Sequence, residues 1–224
     1  MKNRNTSLIL ALPARFNTGI NMLILANILV FMTYTILHLT GFYAIDEWLH
    51  HRLILSSALH EWAPNVWSIL TCQFVHINTA ELLISMSMLW LFGNILQQRI
   101  GIKRILLLYL LCSVAAAVTF LLSHTIFPVF SGYHGMFEGS FGAVAGVMTA
   151  TITLFPRHRI KVGTQYKIPL LYIYAGMVCI GMLFICKHNM AYVLAYIACL
   201  YTGFKYGEHI KKQRKVVPVK TNGY

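Results

Sequence analysis

The sequence predicts an all-α membrane protein with six transmembrane helices and both termini in the cytoplasm. Of its 224 residues, 58% are hydrophobic and only 11% are charged, whereas a soluble domain carries about 25% charged residues. Apolar segments close to the roughly 20 residues that span a bilayer as a helix recur along the chain. We place the six helices at residues 18–43, 80–97, 104–122, 139–155, 168–186 and 189–206.

The net charge of +12 indicates a membrane topology better than it indicates a nucleic-acid partner. With six spans, 16 of the 18 Lys and Arg residues fall on the side of the termini, and only Arg52 and Lys187 fall on the other. Cytoplasmic segments carry this excess of basic residues. We therefore predict a cytoplasmic tail at 1–17, a membrane domain at 18–207 and a basic cytoplasmic tail at 208–224, with membrane lipids as partners and no nucleic acid.

The connection between the first two helices, about residues 43–78, is long and mixes aromatic with charged side chains. Its tryptophans fit the aromatic belt found where a membrane meets water. Its histidines are scattered, whereas a metal site needs three or four ligands with restrained geometry. We therefore predict no metal and no cofactor. The histidines concerned are His50, His51 and His60.

The most specific patterns lie in the fourth and sixth helices. The fourth contains Gly-Ser-Phe-Gly-Ala-Val-Ala-Gly at 139–146, and the sixth contains Ala-Tyr-Ile-Ala-Cys-Leu-Tyr-Thr-Gly at 195–203. They resemble the Gly-x-Ser-Gly-Ala-x-x-Gly and Ala-His-x-Gly-Gly-x-x-x-Gly segments of rhomboid intramembrane serine proteases. The resemblance covers roughly residues 20–207 and implies a rhomboid-like six-helix bundle.

The resemblance also implies that the reacting groups are replaced. Phe141 lies at the position of the nucleophilic serine and Tyr196 at that of the general-base histidine, while Glu81 and Ser85 replace a histidine and an asparagine of the second helix. A phenyl ring cannot attack a carbonyl, a phenol with a pKa near 10 is a poor base, and an ionised carboxylate has no proton for an oxyanion. We therefore expect no catalytic residue at these four positions.

The interpretation that follows is a pseudoprotease that binds transmembrane client proteins, as the inactive iRhom and derlin groups do. One alternative is an active rhomboid-type intramembrane serine endopeptidase with Ser140 as nucleophile. Ser140 lies one residue earlier, about 100° around the helix, and the sixth helix has no histidine after His188 to act as its base. A second alternative is a small transporter or channel, although the chain shows no repeated half with broken helices.

Small residues at four-residue spacing predict close packing of the fourth and sixth helices. These packing residues are Gly142, Gly146, Cys199, Gly203 and Gly207. In that packing we expect Phe141 and Tyr196 to contact each other and to fill the former catalytic cavity.

Glu81 is an ionisable residue in a predicted membrane helix, which makes it a candidate for a functional role. It either lies at headgroup level in contact with water or hydrogen-bonds into the old cavity, to Tyr196 or Ser85. The compact six-helix core suits the cytoplasmic membrane of a bacterium.

Overall fold

A helix occupies each of the six predicted segments. The computed structural model describes residues 18–127, 135–162, 166–185 and 190–216. In chain order the helices are α1 (Thr18–Leu39), α2 (Tyr43–Leu53), α3 (Leu59–Trp62), α4 (Ser68–Thr71), α5 (Thr79–Ile100), α6 (Ile102–Ile126), α7 (Phe141–Leu154), α8 (Leu170–Ile185) and α9 (Met190–Val216). The six predicted segments correspond to α1, α5, α6, α7, α8 and α9.

Among the described residues, three helices are long and apolar enough to cross a membrane, namely α1, α5 and α6. The apolar helices α7 and α8 are shorter. The last helix, α9, continues to Val216 through the beginning of the segment expected as a basic tail.

Four short strands accompany the helices, which the all-α prediction omitted. Strand β1 (Leu55–Ser56) pairs antiparallel with β2 (Met136–Phe137), and β3 (Arg159–Val162) forms a hairpin with β4 (Tyr166–Pro169). The β1–β2 pair joins the connection after α1 to the segment that precedes α7. Strands this short contain too few residues to show an alternating pattern in the sequence.

Helix α7 lies at the centre of the bundle, in contact with α5, α6 and α9. Its residues 143–152 are all buried. Small residues make this possible, because a Cβ on Gly203 of α9 would lie 2.8 Å from the carbonyl carbon and the Cα of Gly146. The backbones of α7 and α9 are therefore in direct contact, which is the arrangement that small residues permit in lipid.

Helix α8 is the most loosely held of the core helices. Only Leu170 and Gly181 are buried among its residues, while Tyr172 and Leu183 are exposed. In a membrane these side chains face lipid, so little packing holds α8 against its neighbours.

Candidate functional site

A partly open cavity of about 520 Å³ lies at the end of the bundle where α5 and α7 begin and α8 ends. This volume is within the range of pockets that hold small molecules or side chains. Its walls are mostly apolar, with a few polar groups among them. The lining residues on which the argument depends are Ile84, Phe137, Phe184, Tyr192, Glu81, Glu138, Phe141 and Tyr196.

Phe141 and Tyr196 form one wall of this cavity. Their rings are stacked with 5.8 Å between centroids and 29° between planes, so the contact expected from the sequence is present. The two rings do not fill the cavity, because both line the remaining space. Gly181 of α8 lies against the stack, where a Cβ would be 2.6 Å from the Tyr196 hydroxyl oxygen.

Ser85 lies beneath the stack, on the side away from the main cavity. It lines a residual void of about 10 Å³ together with Phe141 and Tyr196, which is at the lower limit of the space that a water molecule needs. Its hydroxyl oxygen is buried and has no hydrogen-bond partner among the described residues. A hydrogen bond from Glu81 to Ser85, one of the two expected from the sequence, is therefore not formed.

Glu81 lies in the first turn of α5, where the Asn78 side chain caps the helix by accepting a hydrogen bond from the Ala80 amide at 2.9 Å. Its side chain is 27% exposed, and its Oε1 is 3.8 Å from His76 Nδ1. Among the described residues its carboxyl makes no hydrogen bond to Tyr196 either. The alternative of a partly solvated residue near the helix start describes Glu81 better.

Gly139 determines where the Glu81 carboxyl lies. Gly139 has a φ of +88°, a conformation that favours glycine. A Cβ at this position would overlap Oε1 of Glu81 and lie 3.2 Å from its Cδ. The carboxyl of Glu81 thus rests on the turn that precedes α7.

Glu138 adds a second carboxyl at the same turn. Burial and, to a lesser extent, the charge of Glu81 together raise its pKa to about 8. Its Oε2 is buried without a hydrogen-bond partner among the described residues. The cavity therefore contains two acidic groups that influence each other.

Ser140 faces away from this cavity and into a buried polar cluster. Its Oγ is 3.2 Å from His76 Nε2, and the same Nε2 is 3.4 Å from Asn27 Oδ1. All three side chains are 0–1% exposed. Only the sixth helix was considered as the source of a base for Ser140, whereas the histidine that contacts this serine precedes α5 in the sequence.

The two neutral tautomers of His76 make different contacts. Asn27 Nδ2 donates to the Leu23 carbonyl at 2.8 Å, so Oδ1 faces His76 and can only accept. The tautomer protonated at Nε2 satisfies Oδ1 and has no lone pair at Nε2 for the Ser140 proton. The tautomer protonated at Nδ1 directs that N–H toward Glu81 Oε1 at 3.8 Å. Burial lowers the pKa of His76 to about 4, which keeps the ring neutral in either case.

A model of the Rhomboid domain matches residues 63–212. The chain belongs to the rhomboid family. Together with the apolar helices, this makes it an integral membrane protein. No curated protein matches the chain at a significant level.

In this rhomboid, three of the four family positions line one cavity and the fourth lies directly beneath it. Phe141, Tyr196 and Glu81 contact the open space, and Ser85 contacts the small void. The four family positions, which are far apart in the sequence, therefore lie at a single place in the fold.

The residues of the predicted packing motif lie between α7 and α9. A Cβ on Gly142 would be 3.0 Å from the Cys199 sulfur, one on Gly146 would be 3.1 Å from the Cys199 carbonyl oxygen, and one on Gly207 would be 2.8 Å from Thr153 Cβ. These close approaches bring Phe141 and Tyr196 onto facing surfaces.

Sequence reasoning missed Glu138, Asn27 and the contact between His76 and Ser140. Glu138 adjoins the glycine turn before α7, and an acid beside a predicted membrane helix was a signal that could have indicated it. No sequence signal links Asn27 to His76, which lie 49 positions apart. Within the described residues no group of three His, Cys, Asp or Glu side chains is arranged for a metal ion, and His188 lies outside those residues.

Proposed function

We propose that this rhomboid is a non-catalytic protein that binds transmembrane client proteins in the cytoplasmic membrane of a bacterium, with both termini in the cytoplasm. One observation carries the proposal: two stacked aromatic rings, Phe141 and Tyr196, occupy the positions of the nucleophile and the base. Serine-protease chemistry needs a nucleophile, a base in hydrogen-bond contact with it and donors for the oxyanion. The phenyl ring of Phe141 cannot act as a nucleophile, and the phenol of Tyr196 is a poor base.

The buried polar cluster supports a structural role for Ser140. Its side chain is 0% exposed and is not part of the cavity wall, so a substrate carbonyl has no path to it. In the tautomer that satisfies Asn27 Oδ1, Nε2 of His76 carries the proton and does not activate the Ser140 hydroxyl.

The loose packing of α8 supports client entry from the lipid. Phe184 of α8 and Ile84 of α5 both line the cavity, and few side chains of α8 are buried. Displacement of α8 by a client helix would remove little packing from the protein, and the client would then reach the cavity directly.

Reaction with a fluorophosphonate tests the absence of catalysis. The detergent-purified protein is treated beside an active rhomboid, and adducts are located by mass spectrometry. We expect no adduct on any serine of this chain while the control is labelled. An adduct on Ser140 would contradict the proposal and favour the alternative of an intramembrane endopeptidase. The contacts of His76 with Ser140 at 3.2 Å and with Glu81 at 3.8 Å support that alternative.

Site-specific photocrosslinking tests client binding. A benzoylphenylalanine at Ile84 faces the cavity, whereas one at Leu107 of α6 faces outward and serves as the matched control. A defined single-span membrane protein co-reconstituted with each variant should crosslink at position 84 and not at 107. Equal crosslinking at both positions would show lipid-mediated proximity without a binding site.

A further inference from the structure

The cavity has an acidic character that the family positions do not explain. Its polar groups include the carboxyls of Glu81 and Glu138, whereas no Lys, Arg or His occurs among the described residues that line it. Both carboxyls adjoin the turn at Gly139. That of Glu81 packs against it from α5, and Glu138 directly precedes Gly139 in the sequence. Glu81 is 27% exposed, and one carboxyl oxygen of Glu138 is buried without a hydrogen-bond partner among the described residues. A ligand that donates to these oxygens would therefore form hydrogen bonds that the described residues do not supply.

The walls beside these carboxyls match the stem of a long basic side chain. Ile84, Phe137 and Phe184 provide apolar surface, and Tyr192 and Tyr196 provide aromatic rings. Lys and Arg bury their methylene stems against apolar surface while the charged end reaches a polar group, and aromatic faces attract such cations. Neutral lipid tails or an acidic segment would bring no hydrogen-bond donor to these carboxyl oxygens.

We propose that the cavity holds the ammonium or guanidinium group of a Lys or Arg side chain on the transmembrane client, against the carboxyls of Glu81 and Glu138. This rests on the proposed client-binding function and specifies its ligand. The cavity lies at the end of the bundle at which α8 ends, which is opposite the termini in the predicted topology. Lys and Arg are scarce on that side of a membrane, so a basic residue at that boundary distinguishes a client from other membrane helices.

Binding of two matched peptides tests the proposal. Each peptide is a fluorescent Leu/Ala helix of about 20 residues, ending in Lys-Lys in one case and in Gln-Gln in the other. The full-length protein is placed in nanodiscs of neutral phosphatidylcholine, so that lipid charge does not contribute. We expect the Lys peptide to bind about tenfold more tightly, the effect of one charge-assisted hydrogen bond.

Three variants locate the effect. Glu138→Gln and Glu81→Gln should each lower the ratio of the affinity for the Lys peptide to that for the Gln peptide. Glu138→Gln is the decisive variant, because Glu81 also packs on Gly139. Glu208→Gln is the control, since Glu208 pairs with Lys205 at 3.7 Å near the other end of α9, and it should behave as wild type.

The remaining outcomes separate the two proposals. Equal affinity for both peptides would overturn the selection of a cation and leave client binding in place. Absence of binding by either peptide would overturn both. Displacement of the Lys peptide by millimolar calcium and not by n-butylamine would assign the carboxyls to a metal ion and overturn the proposal for a basic side chain.

Discussion

Gly203→Ala should force α7 and α9 apart. The new Cβ would lie 2.8 Å from the carbonyl carbon and the Cα of Gly146, whereas carbon atoms prefer a separation of about 3.5–4.0 Å. The helices must therefore separate by about 1 Å. The obstacle is backbone on both sides, so no side-chain rotation relieves it.

The expected cost follows from overpacking in a core, which destabilises by about 1–3 kcal/mol. In a chain of this length that corresponds to a Tm lower by about 5 °C. Thermal unfolding of the purified protein in detergent, followed by circular dichroism, measures it. The better helix propensity of alanine offsets at most about 1 kcal/mol of the cost.

Gly176→Ala is the matched control, because it makes the same chemical change in α8 where nothing lies within 4 Å of the new Cβ. This variant should keep the wild-type Tm or exceed it. If Gly203→Ala unfolds at the same temperature as Gly176→Ala, the direct backbone contact between α7 and α9 does not exist in solution and the argument is refuted.

Three further predictions concern single side chains. Ser85→Ala should raise Tm by a few degrees, because it removes a buried hydroxyl that has no partner among the described residues; an unchanged or lower Tm would show that the hydroxyl is hydrated. His76→Leu should lower stability by about 2 kcal/mol, since Ser140 and Asn27 each lose a buried hydrogen bond; a small effect in urea titration would contradict that cluster. Because burial raises the pKa of Glu138 from 4.5 to about 8, its contribution to stability is complete below pH 4.5 and is lost as the pH rises through 8. Tm measured from pH 5 to 9 should therefore fall more steeply in wild type than in Glu138→Gln, and parallel curves would refute the shift.

The main helices could be predicted because hydrophobicity alone specifies them. A run such as 104–122 contains no charged residue after Arg104, and only a helix satisfies its backbone in lipid. The small residues around Gly146 and Gly203 likewise identify the closest helix pair, since side-chain size limits the approach of two backbones.

The polar details could not be predicted, because they depend on contacts between distant segments. The sequence could not show that Ser140 points toward His76, which lies 64 positions away. The strands β1 and β2 have two residues each, and their pairing depends on where the surrounding helices hold them. The position of the Glu81 carboxyl depends on the φ of Gly139, and a single sequence does not specify that angle.

The stack of Phe141 and Tyr196 restricts how this chain could change further. A serine at position 141 alone would leave a gap against the tyrosine ring. A histidine at position 196 alone would face a phenyl ring, which has no hydroxyl proton for a base to remove. Removal of a fully buried aromatic ring costs about 3–5 kcal/mol, which is an upper limit for the partly buried Phe141. Under the proposed non-catalytic function, a serine at 141 and a histidine at 196 are each unfavourable without the other, so the two positions can change only together.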